Sequence, residues 1–186
     1  MRKSLLAVLA LTINFVTAQI FITELADANN SAPTRFVELF NIGTSDVDLS
    51  SGWALQRYTN GASTPQTAVI LTGTIPAGGF YIITKNAVAF ENVYGFPPDQ
   101  DIGQGGPADS NGDDQIALLD ASGATVDMFG VVGEDGSGTG HEFEDGRAER
   151  VSTVTSGNPT WDVAEWDVDN DSGGGDGPQN APDDFD

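Results

Sequence analysis

The chain has 186 residues, with seven Lys plus Arg against 28 Asp plus Glu, a formal charge of −21 and no cysteine. A surface this acidic repels phosphate backbones and anionic bilayers, which argues against a nucleic-acid partner. The lack of cysteine removes thiol catalysis, thiolate metal centres and disulfide scaffolds.

Residues 1–18 have the order of a secretory leader. Arg2 and Lys3 come first, then the apolar run Leu5 to Phe15, then the small residues Val16, Thr17 and Ala18 before Gln19. Thr12 and Asn14 interrupt a run already shorter than the roughly 20 residues a membrane-spanning helix needs. The expectation is an exported mature chain 19–186, extracellular or in the cell envelope, with no membrane span. Without Arg2 and Lys3 its charge is −23. Six acids precede residue 99 and 22 follow from Asp99 onward, where Arg147 and Arg150 are the only cations.

Gln19 to Leu25 alternates as a strand, and Ala26 to Thr34 is a loop by its Asn, Asp, Ser and Pro content. Phe36 to Asn41 is apolar on both faces, as a central strand is, and it carries Glu38 between two aromatics. A carboxylate there must be hydrogen bonded, which makes Glu38 a structural acid satisfied by loop N–H groups rather than a catalytic one. Trp53 to Tyr58 is the next strand, with Trp53 a core anchor, and Asn60-Gly61 marks a turn. Ala68 to Thr72 and Gly79 to Thr84 read as two strands joined in a hairpin-like way. Asn86 has the chemistry of an N-cap, Val88, Phe90, Val93 and Tyr94 repeat near helical spacing, and Gly95 and Pro97 stop the run. One short helix over 86–94 is therefore predicted. Asp99 to Asp114 is a Gly- and Asp-rich loop. A hairpin follows over Gln115 to Asp120 and Ala124 to Phe129, then a Gly-rich acidic loop over 133–146 and a last strand from Ala148 to Val154. Eight or so short strands, with no crossover helices for a parallel sheet, predict an all-β sandwich over 19–154. Residues 155–186 form an acidic, Gly- and Asp-rich C-terminal segment in which Trp161 and Trp166 are expected to pack back on the domain and 172–186 to be a disordered or linker-like end.

Several of these pieces resemble the lamin tail domain, an immunoglobulin-like β-sandwich. They are Ile22-Thr-Glu-Leu25, Phe36-Val-Glu-Leu-Phe-Asn41, Val47-Asp-Leu49, Gly52-Trp-Ala-Leu55, Ile75-Pro-Ala-Gly-Gly-Phe-Tyr-Ile-Ile83, the run Asp114 to Asp127, and Ala148-Glu-Arg-Val151. The resemblance covers roughly residues 20–154 and is carried by the order of the pieces rather than by any one. It implies a non-catalytic interaction module of the secreted bacterial type. Because it rests on strands, it transfers no functional residue.

Two acidic clusters have the alternate spacing with which oxygen ligands converge on calcium. Asp167, Asp169 and Asp171 occupy positions 1, 3 and 5 of such a loop, although Ser172 stands where glycine is expected and Pro178 where a bidentate Glu is expected. Asp109, Asn111 and Asp113 repeat the spacing, yet Asn111-Gly112 is also an ordinary turn. Ca2+ is thus the one cofactor the sequence suggests, against solvated turn chemistry. His141 is the single histidine, and without cysteine it makes neither a zinc set nor a triad, so it reads as a surface residue. Glu142 and Glu144 have the look of a glycosidase pair, which among 28 acids arises by chance. No nucleophile elbow, phosphate loop or HExxH motif is present. The leading expectation is a secreted binding module for a protein or surface glycan. Behind it stand a calcium-dependent structural or adhesion protein and, third, a hydrolase or an accessory domain of one. Surface Trp or Tyr clustered beside a concave face favours glycan binding, acidic side chains converging on one point favour calcium, and a deep pocket joining His141 to two carboxylates favours the enzyme.

Overall fold

The computed structural model describes residues 19–28 and 31–170. The expected leader, Asp171 and the segment 172–186 lie outside the described residues. In chain order the strands are β1 (Ile20–Ala26), β2 (Phe36–Asn41), β3 (Val47–Asp48), β4 (Ala54–Tyr58), β5 (Val69–Ile70), β6 (Thr74–Ile75) and β7 (Phe80–Thr84). The α-helix α1 (Ala87–Tyr94) follows, then β8 (Gln100–Asp101), β9 (Gln115–Leu119), β10 (Thr125–Phe129), β11 (Arg147–Arg150) and β12 (Trp166–Asp169).

β2 is apolar on both faces because both faces are covered. Val37 and Leu39 point into the space between two sheets, whereas Phe36 points outward and packs edge-on against Phe90 of α1, with ring centroids 5.6 Å apart. One sheet runs β12-β11-β1-β2-β7-β8 and the other β10-β9-β4-β5, with β3 and β6 as a separate small pair. Ile22, Leu25, Leu39, Leu55, Ile83, Ile116, Leu118 and Phe129 fill the interior between them. Each such side chain contributes about 1.5–3 kcal/mol by leaving water. The result is the all-β sandwich with one short helix that the pattern predicts.

Local chemistry fixes the joints. Asn41 Nδ2 donates to the carbonyls of Ser45, Ile75 and Pro76, at 2.9, 3.2 and 3.0 Å, and its Oδ1 accepts from Gly43 N, so one buried amide holds two turns together. Asn86 caps α1 by accepting from Ala89 N at 3.0 Å, and Gly95 ends the helix at φ +84°. Glu38 is wholly buried, and Thr23 Oγ1 donates to its Oε1 at 2.6 Å. That partner is a hydroxyl from the neighbouring strand. Across the same sheet Glu38, Glu24, Glu149 and Asp167 stand opposite one another in register on β2, β1, β11 and β12. Arg147 lies beside this acidic row, 3.1 Å from Glu149 and 3.9 Å from Glu24.

Three expectations change. Residues 68–72 and 79–84 do not pair with each other: β5 joins β4 in the smaller sheet, β7 joins β2 in the larger, and β6 intervenes. β7 and β8 are parallel, with α1 between them as the crossover a parallel pair requires. The last strand of the sheet is neither 148–154 nor within 19–154. β11 ends at Arg150, and β12 closes that edge from the C-terminal segment by pairing antiparallel with it. Among the described residues no helix is long and apolar enough to cross a membrane.

Candidate functional site

The acidic residues singled out for calcium are placed as follows. Asp109 ends a short turn of 3-10 helix, Pro107–Asp109, and its Oδ1 contacts Lys85 Nζ and lies 3.3 Å from Arg35 Nη1, while Oδ2 accepts from Gly105 N at 2.8 Å. Burial alone would raise its pKa, but the hydrogen bonds from Lys85 and Gly105 and the two cations hold it below the usual carboxylate value. Asn111 sits half-buried on the following turn. Asp113 takes a different partner, accepting from Asn60 Nδ2 at 3.1 Å. Its neighbour Asp114, which the sequence reading did not single out, is wholly buried 3.3 Å from Arg57 Nη1, and burial pushes its pKa up. Asp109 and Asp113 are thereby drawn to separate basic and amide groups. Asp167 and Asp169 are not in a loop: both are exposed on β12, opposite Glu149 and Arg147. Among the described residues no three His, Asp or Glu side chains are grouped to hold a metal ion.

His141 is not a surface residue. It is 1% exposed, with its ring 6.3 Å from that of Phe129 and 5.7 Å from that of Trp161, edge to face with both. Its Nε2 lies 3.1 Å from Glu134 Oε2 and 3.5 Å from Val131 N. Burial pushes its pKa below the ordinary histidine value, against the pull of Glu134 and Glu142. Glu142 in turn accepts from Gly138 N at 3.0 Å, so a single carboxylate, Glu134, touches the imidazole.

Beside this ring lies the concave feature that a binding surface needs. A hollow of about 200 Å³ is lined by Met128, Gly130, Val131, Val132, Pro159, Thr160 and Trp161. Trp161 lines it and packs against three rings. Phe129 is edge-on at 4.8 Å, Trp166 is stacked at 6.1 Å, and His141 is edge-on at 5.7 Å. Asp127 accepts from Asn158 N at 2.9 Å, and Met128 N donates to Asn158 O at 2.9 Å, which ties the Pro159 to Trp161 stretch to β10. Gly130 makes the close approach possible. It adopts φ +83°, and a Cβ there would stand 2.8 Å from Gln115 Cγ and 3.2 Å from His141 Nδ1. Val131 and Val132 form the outer wall at 42% and 41% exposure, unusual for valine on adjacent positions. Asp135 and Asp162 are exposed, and the Glu134 side chain, 3.1 Å from the imidazole, is half exposed. An aromatic and aliphatic lining suits an apolar group.

Sequence reasoning placed Trp161 against the domain but did not find the hollow. Its one legible signal is the Gly130-Val-Val-Gly133 run, two valines held in a turn between glycines with no strand to bury them. The lining comes from segments about 30 residues apart in the chain, which the Asn158 bonds to β10 and the Phe129–Trp161 ring contact bring together.

A family model described as Lamin Tail Domain matches residues 14–133, more than half of the chain. No curated protein matches it. The family is one of non-catalytic immunoglobulin-like domains that serve as interaction modules, and the sheets described above are of that kind. The matched residues include Met128 to Val132 of the hollow, while Pro159 to Trp161 come after them. On the length of this match and on its fold, the chain belongs to the lamin tail domain family.

Proposed function

We propose that this chain is a secreted, non-catalytic interaction module that binds a protein partner through the Trp161 hollow. The observation that carries this reading is the Trp161 indole, packed against Phe129, Trp166 and His141 in the lining of an apolar hollow walled by two exposed valines. A ring fixed before contact loses little entropy on binding, which is why such residues dominate interface energetics. Protein is favoured over glycan because Thr160 supplies the only side-chain hydroxyl in the lining. Sugar recognition needs several donors and acceptors around the aromatic platform. The leader-like residues 1–18 support export, and a mature charge of −23 favours a partner whose apolar anchor is flanked by Lys or Arg.

A photo-reactive residue placed at Thr160, with a second at Val88 on α1 as control, tests this on the mature chain in its native medium. Cross-links to one protein from position 160 and none from 88 are expected, lost about thirtyfold with Val131→Asp, as for an anchor worth about 2 kcal/mol. Equal capture from both positions, or capture unaffected by V131D, overturns the reading. Retention on immobilised glycans that depends on Trp161 assigns the hollow to sugar instead.

A further inference from the structure

The sequence holds two Asn-Gly pairs, Asn60-Gly61 and Asn111-Gly112, and the fold treats them differently. Asn60 is exposed on the turn after β4, where Ala62 N donates to Thr59 O at 3.0 Å and both central residues are left-handed, Asn60 at φ +48° and Gly61 at φ +72°. Among the described residues Gly61 N has no acceptor. Gly112 is buried, its N–H donates to Ser110 Oγ at 3.3 Å, and a Cβ on it would stand 2.2 Å from Glu144 N. Asn60 is also the residue that fastens its turn to the start of β9. Its backbone N donates to Asp114 Oδ1 and its side-chain Nδ2 to Asp113 Oδ2, each at 3.1 Å. Asp113 is 6% exposed and Asp114 is wholly buried.

We infer that Asn60 is a self-modification site: its side chain loses ammonia by deamidation, and the product unfastens the turn. The Gly61 amide proton passes to hydroxide, the bared nitrogen attacks Asn60 Cγ, and the Cγ–Nδ2 bond breaks as Nδ2 takes a proton from water and leaves as ammonia. The cyclic imide then adds water at one of its carbonyls, giving aspartate or isoaspartate with no change of oxidation state. Gly61 suits this step because it has no side chain to crowd the attack and its N–H has no hydrogen bond to give up. At Asn111 the same step must first break the bond to Ser110 and part Gly112 from Glu144. The product at position 60 carries a carboxylate where a donor stood, facing Asp113 across a gap that held a hydrogen bond. Two carboxylates so placed repel, and the burial of Asp113 keeps water from screening them.

Peptide mapping by mass spectrometry, on the mature chain kept folded in mildly alkaline buffer, tests the site. Asn60 is expected to convert to aspartate and isoaspartate about tenfold faster than Asn111, as for a step spared the breaking of one hydrogen bond. In urea, with the fold removed, the two rates should converge. Equal rates in the folded chain, or an Asn60 left intact there after the unfolded chain has reacted at both positions, overturns the assignment. Asn60→Asp, which stands for the aspartate product, should lower the melting temperature, and N60D combined with D113N, which restores one donor and one acceptor at the same place, should regain most of the loss. A parent-like N60D, or a loss the swap does not recover, overturns the unfastening. Should N60D fail to fold, folding of the swapped variant still decides the point. Neither measurement involves the Trp161 hollow, so a failed cross-link at Thr160 leaves both standing.

Discussion

Arg150 Nη2 on β11 donates to Asp127 Oδ2 on β10 at 2.5 Å, with both side chains wholly buried, so one ion pair joins the two sheets of the sandwich. Asp127 also accepts from Ile22 N at 2.8 Å and Asn158 N at 2.9 Å. Arg150 reaches Ile22 O at 3.0 Å and Glu165 at 2.6 Å, and its guanidinium lies 4.1 Å from the Trp166 ring. Burial pushes the Asp127 carboxyl up and Arg150 pulls it back. The same carboxylate that couples the sheets positions Asn158, and through it the Trp161 stretch.

Replacing Arg150 with Met should therefore cost more than its lost contacts suggest, because Asp127 is left as a buried charge without its cation. A loss of about 3–5 kcal/mol in urea denaturation is expected, the range for breaking a buried pair from one side. A loss under about 1 kcal/mol would show the pair to be dispensable.

Asp109 offers a case where the sign of the pH dependence is fixed. Its folded pKa lies below the unfolded value of 3.8, so the folded state binds fewer protons between the two. The stability it supplies is present above 3.8 and lost as pH falls through the folded value. Asp109→Asn should destabilise at neutral pH by about 2–4 kcal/mol, since Lys85 and Arg35 lose their shared carboxylate. It should also flatten the decline in melting temperature below about pH 4. An unchanged acid limb would refute the assignment.

Gly112 and Gly95 share a left-handed backbone but differ in their surroundings. At Gly112, φ +97°, a Cβ would stand 2.2 Å from Glu144 N, whereas at Gly95, φ +84°, nothing lies within 4 Å. Gly95→Ala should cost about 1–2 kcal/mol, the conformational penalty alone. Gly112→Ala must also push apart the 109–114 and 143–146 segments, with a cost of more than about 3 kcal/mol. Equal losses in thermal unfolding would mean that the loops yield without resistance.

The acidic row across β2, β1, β11 and β12 depends on Arg147. With Glu24 1% exposed and Glu149 in register beside it, Arg147→Gln leaves like charges opposite one another on neighbouring strands. Calorimetry at pH 7 should show a loss of about 1–3 kcal/mol that is largely recovered at about pH 4, where carboxylates begin to protonate. A loss that persists unchanged at acid pH would place the effect in packing instead.

The strands were legible wherever one residue pattern meant one environment. Phe36 to Asn41, the 115–129 hairpin and the Asn86-capped helix follow from alternation, turn chemistry and capping, which are local. Pairing was less legible: β5 and β7, with only the short β6 between them, lie in different sheets, because partner choice depends on which faces must be buried.

By itself the sequence determined the sandwich, its short helix, its acidity and its family, since each is set by periodicity, composition or the order of short motifs. Tertiary structure decided where charge and aromatics meet. Asp127, between Val126 and Met128 in β10, is buried where Arg150 arrives from the other sheet. His141 reads as a surface residue in a glycine-rich loop, yet Phe129 and Trp161 enclose it. The hollow forms where Asn158 is bonded to β10 and Trp161 packs on Phe129, contacts between residues about 30 positions apart that no local pattern encodes.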